Sequence, residues 1–109
     1  KEKVFRYSML TDVTTLDPQK CNELLSSTIG YHIGEGLTRS IDGEVHSGIA
    51  ESWDVSEDGL TYTFHLRDAK YSDGETIKAQ DFEYAMKRLV DPETASTICF
   101  YCKAFGKCR

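Results

Sequence analysis

Residues 58–68, Asp-Gly-Leu-Thr-Tyr-Thr-Phe-His-Leu-Arg-Asp, alternate apolar and polar side chains almost without a fault. Leu60, Tyr62, Phe64 and Leu66 fall on one face, and Thr61, Thr63, His65 and Arg67 on the other. Side chains repeat every two residues only in an extended chain, so the stretch is a half-buried β-strand. Such a strand needs a hydrogen-bonding neighbour and something apolar over one face. The neighbour precedes it. Over 49–56, Glu51, Trp53 and Val55 alternate with Ala50, Ser52 and Asp54, and Glu57-Asp58-Gly59 turns the chain back into an antiparallel hairpin.

The rest of the chain supplies candidate covers. Residues 4–10, Val-Phe-Arg-Tyr-Ser-Met-Leu, alternate and predict a strand, and Pro18 disfavours helix at Asp17. A helix is expected from Asn22 as N-cap, with Glu23 in its first turn and Leu25, Ile29, Ile33 and Leu37 recurring every four residues. Gly36 suits its C-terminal cap. Gly30 and Gly34 each weaken it by about 1 kcal/mol relative to alanine, or let another backbone come close. Asp42-Gly43 and Asp73-Gly74 are turn signals, the second leading into a short edge strand at Thr76–Lys78. Residues 80–90 are the clearest helix: Phe82, Ala85, Met86, Leu89 and Val90 form one stripe, acidic residues start it, Lys87 and Arg88 finish it, and Asp91-Pro92 stops it. The expected scaffold core is Trp53, Tyr62, Phe64 and Leu66 of the hairpin with Phe82, Met86 and Leu89 of the helix. This is an α/β, α+β-like piece without the regular rhythm of a doubly wound sheet.

Composition narrows the function classes. The chain has 109 residues, a formal net charge of −5 and 28% charged residues. Its mean hydropathy is −0.45 and its pI about 5.1. No concentrated basic surface is visible, so nucleic acid is not an expected partner. No window reaches the ~18 apolar residues of a membrane span.

Catalytic patterns are equally scarce. Asp42, Asp58 and Asp73 each precede a glycine in a turn, where an aspartate accepts local backbone hydrogen bonds. No nucleophile elbow, dinucleotide fingerprint or phosphate loop occurs, so an enzyme is not expected. His65 reads as a surface histidine, His32 as a helix-surface partner of Glu35, and His46 as a turn residue. Cys21, Cys99, Cys102 and Cys108 form an even set. They could make two disulfides in three possible pairings, a zinc site completed by Cys21 or a histidine, or a redox thiol pair at Cys99-x-x-Cys102.

Six blocks now stand in order: Thr15-Leu-Asp-Pro, Gly34-Glu-Gly-Leu-Thr-Arg, Asp42-Gly-Glu-Val, 49–68, 71–82 and 84–96. Together they closely resemble the N-terminal region of the extracytoplasmic oligopeptide- and dipeptide-binding proteins of bacterial ABC importers, over about Val4 to Ser96. The resemblance implies a periplasmic-binding-protein type II-like fragment: a strand and helix from the first lobe, then a mostly antiparallel accessory sheet with one packing helix. Its implied segments are 1–40 in the ligand-binding lobe, 41–96 in the accessory unit and 97–109 a cysteine-rich tail. It implies capture of an extended oligopeptide and delivery to a membrane permease. The protein would sit in the periplasm, or at the cell surface behind a lipid anchor ahead of Lys1. No cofactor is implied, zinc at the cysteines aside. Of the parts present, Asp12, Val13 and Thr14 match a loop that meets ligand in the family. Ser47 and Lys78 depart from its usual proline and threonine. Family members are several times longer, with the groups that fix the peptide's terminal amine in the other lobe. These 109 residues alone are therefore expected to bind peptide poorly. The alternative is a small cysteine-stapled or zinc-binding interaction module on the same scaffold.

Overall fold

The computed structural model describes residues 2–99. In chain order it contains α1 (Leu24–Ile33), β1 (Thr38–Ile41), β2 (Glu44–Ser47), β3 (Ala50–Val55), β4 (Tyr62–Leu66), α2 (Ala79–Val90) and a 3-10 turn (Pro92–Thr94). The strands make two antiparallel two-stranded sheets, β1–β2 and β3–β4. Two compact units emerge: Gly34–Arg88, and the residues up to Ile33 together with those from Leu89 onward.

In the 34–88 unit the hairpin expected from alternation forms, with Val55 opposite Tyr62, Trp53 opposite Phe64, and a register shift between Ala50 and Ser52. The Trp53 and Phe64 rings lie 6.5 Å apart, a cross-strand aromatic pair. The strand begins at Tyr62 rather than Leu60, because Asp58 captures the turn. Its carboxylate accepts the Ser56 hydroxyl and the Leu60 N–H, while the Ser56 hydroxyl accepts the Thr61 N–H. The Ser56 hydroxyl, then the Leu60 N–H, hold the Asp58 carboxyl below the usual carboxylate range.

Asp42 and Gly43 both have positive φ, 52° and 83°. That is the type I′ geometry that joins strands through two residues, here pairing Ile41 with Glu44. Beyond β2 the chain folds onto the segment before β1: Gly48 N–H donates to the Leu37 carbonyl and Ile49 N–H to that of Gly36. A Cβ on Gly48 would lie 2.5 Å from the Gly36 oxygen, so only glycine fits. The core sits beside this crossing, where Ile49, Ala50 and Ala69 are the buried apolar residues among those described.

Several expectations need revision. Residues 4–10 form no strand among the described residues, because nothing there offers them a ladder, and Phe5 and Tyr7 stack on each other instead. The helix starts at Leu24 and ends at Ile33, so Asn22 is not its cap, and Gly36 lies past it as a backbone acceptor. The edge strand after Asp73-Gly74 reduces to one bridge, Lys70 with Thr76. Trp53, Leu66, Phe82 and Leu89 are half-buried. Tyr62, Phe64 and Met86, expected in the same core, are 56%, 37% and 47% exposed. A two-stranded sheet has only one side chain in two facing any cover, and this one has no second full layer of its own.

Candidate functional site

Asp12, Val13 and Thr14 lie in a loop without regular structure, so side-chain hydrogen bonds must hold it. Ser26, in the first turn of α1 and only 3% exposed, supplies them. Its Oγ accepts the Thr14 N–H at 3.2 Å and the Thr15 N–H at 3.4 Å. Glu23 sits at the N-cap position. Its carboxylate accepts the N–H groups of Leu25 (2.7 Å) and Ser26 (3.0 Å), two donors left without a partner inside the helix. The same carboxylate accepts the Thr14 hydroxyl at 3.1 Å. One acidic group therefore ties the loop to the positive end of α1. Hydrogen bonding by Ser26 is the main cause holding the Glu23 carboxyl below its ordinary value, against an opposing loss of hydration.

The loop continues as local turns. Asp17 N–H donates to Thr15 Oγ1 and Gln19 N–H to Asp17 Oδ1, both at 3.0 Å. Over it opens a shallow cleft of about 630 Å³, lined by Tyr7, Met9, Leu10, Thr11, Asp12, Val13 and Ile29. Apolar side chains share its walls with Thr11 and with Asp12, the only carboxylate among the lining residues.

The polar face of β4 has a different role. His65 Nε2 lies 2.7 Å from Asp54 Oδ2 across the hairpin. Arg67 donates from Nε to the Gly48 carbonyl (3.0 Å) and from Nη2 to Glu35 (2.9 Å). Glu35 is thus engaged by Arg67, and by Arg39 at 3.7 Å, rather than by His32, whose Nδ1 meets the Thr28 carbonyl. The helix stops before Glu35, which removes the spacing that would have paired it with His32. Arg67 is a strut across the β2–β3 turn.

Cys21 places its Sγ 3.2 Å from Ser27 Oγ and near the Glu23 carbonyl, and belongs to no disulfide. Cys102 and Cys108 lie outside the described residues. Among the described residues no three His, Cys, Asp or Glu side chains gather around one point that could hold a metal ion. None of the described helices is long and apolar enough to cross a membrane.

Residues 44–102 match the family described as bacterial extracellular solute-binding proteins, family 5 Middle. The chain belongs to that family. It is 47% identical over 93 residues to the periplasmic oligopeptide-binding protein OppA of Escherichia coli, which covers 84% of this chain and 17% of that protein. The crystal structure of Haemophilus influenzae OppA in complex with RPPGFSPFR superposes with a TM-score of 0.79 at 41% identity, over 84% of this chain and 18% of that one. A third relative, the probable deoxycholate-binding periplasmic protein YgiS of Escherichia coli, is 40% identical over 92% of this chain and 19% of its own length. The chain thus spans a fifth or less of the length of these relatives. These family 5 relatives are binding proteins, not enzymes.

Sequence reasoning reached the loop but missed its anchors. Glutamate is a poor N-cap by type, and a serine inside an apolar-periodic stretch reads as surface. The available signal was Ser26-Ser27-Thr28, three small hydroxyl residues where a helix would favour stronger formers.

Proposed function

We propose that the protein carrying this chain is an extracytoplasmic solute-binding protein that captures extended oligopeptides and hands them to the membrane permease of an ABC importer. It would act in the periplasm or at the cell surface behind a lipid anchor. The observation that carries this reading is the likeness, at a TM-score of 0.79, to an OppA solved with a nonapeptide bound. Residues 1–40 would contribute to the ligand lobe, 41–96 to an accessory unit and 97–109 a tail. The loop at Asp12, Val13 and Thr14 would form part of the peptide's bed, its inner amides already occupied by Ser26 and its outer side turned to the cleft. A backbone-led bed of this kind accepts many sequences, because the added-strand mode reads peptide amides before side chains.

Calorimetry with a mixed pool of tri- to pentapeptides tests it. The full natural protein should bind the pool, and residues 1–109 alone should bind it poorly or not at all. Micromolar binding by the 109 residues alone would sink the division of the site between lobes. No binding by the full protein, with deoxycholate bound instead, would sink the peptide reading.

A further inference from the structure

The hydroxyl of Ser96 donates to the carbonyl of Gln19, and its oxygen also receives the Ile98 N–H at 3.3 Å. Two turns separated by 77 residues are thereby held at one point. Each turn leads directly to a half-buried cysteine: Cys21 two residues beyond Gln19, and Cys99 three beyond Ser96. With about 3.8 Å between successive Cα atoms, Cys21 is at most about 8 Å and Cys99 at most about 11 Å along the chain from the tie. The Cα separation of a disulfide is about 4.4–6.8 Å, within the reach of two such turns. In the sequence, Cys102 and Cys108 follow Ser96 by six and twelve residues.

We infer that Cys21 and Cys99 form a disulfide on exposure to a disulfide oxidant such as oxidised glutathione. The Cys21 thiolate attacks one sulfur of the oxidant and releases a glutathione thiolate. The Cys99 thiolate then attacks the Cys21 sulfur of the mixed disulfide and releases the second. Two protein thiols are oxidised and one glutathione disulfide is reduced to two thiols, so atoms and electrons balance. The bridge encloses the whole 34–88 unit in a covalent loop and clips together the two chain segments of the other unit. The inference rests on the tie at Gln19 and Ser96 and is independent of the peptide-binding reading.

The test equilibrates the full natural chain in a glutathione redox buffer, caps remaining thiols with iodoacetamide and digests without reductant. Trypsin leaves Cys99 and Cys102 in one peptide, so chymotrypsin is added to cut at Phe100 or Tyr101 between them. The expected product is a Cys21–Cys99 linked pair 2 Da lighter than its two thiol peptides. It should persist when Cys102 and Cys108 are both changed to alanine and disappear in Ser96→Pro, which removes the tying hydroxyl. Alkylated Cys21, or Cys21 joined mainly to Cys102 or Cys108, overturns the inference.

Discussion

Glu23 is the residue on which the candidate loop depends. It caps α1 and receives the Thr14 hydroxyl with one carboxylate. Because its folded-state pKa is lowered, the unfolded chain binds the proton more readily. The stabilisation is therefore complete above the ordinary glutamate pKa of about 4.3 and is lost as pH falls through the depressed folded value. A carbon-detected NMR titration of the Glu23 side chain should give a midpoint below the ordinary glutamate value of about 4.3. A Ser26→Ala variant should move it back upward, and an unchanged midpoint there would contradict the anchoring role. The effect is local, so the resonances of Thr14, whose hydroxyl donates to this carboxylate, should follow the same titration.

At the scale of elements, α2 has half of a capping box. Asp81 accepts the Lys78 N–H at 2.8 Å, but lysine has no oxygen to return to the helix amides. Lys78→Thr should stabilise the chain by about 0.5–1 kcal/mol, seen as a higher urea midpoint with an unchanged slope. A fall in the midpoint would mean that the lysine has another structural partner. The helix itself was legible from Phe82 to Val90, since a stripe at helical spacing and an Asp-Pro stop are local signals. The β3–β4 hairpin and the Asp42-Gly43 turn were legible for the same reason. What stayed hidden depends on distant partners. Residues 4–10 have the right alternation but no ladder among the described residues, and Gly48 is required by the Gly36 and Leu37 carbonyls across a crossing that no local window contains. At the candidate site, Asp12–Thr14 came from resemblance, whereas Ser26 and Glu23 emerged only once the loop had been brought against α1.

For the whole molecule, exposed apolar surface dominates. Phe5, Leu10, Leu24 and Tyr31 are exposed, as are Tyr62 and Phe64 of β4 and Tyr84 and Met86 of α2, and among the described residues the buried apolar set is three small or medium side chains. Single domains of this size depend on burying about two-thirds of their surface for a stability of only a few kcal/mol. Residues 1–109 alone should accordingly bind the dye ANS and melt in a broad calorimetric transition, with weak near-UV circular dichroism. A sharp transition with a calorimetric enthalpy equal to its van't Hoff value would contradict this.

The tie between Gln19 and Ser96 also sets a schedule on the ribosome. Residues 34–88 are contiguous, so their hairpins can close as they emerge. The N-terminal segment, synthesised first, has to wait for a partner 77 residues downstream. At translation rates of about 5–20 residues per second, that delay is roughly 4–15 s. Throughout it the turn at Gln19 lacks the hydroxyl that holds it, so the segment leading to Cys21 stays untied until Ser96 has emerged.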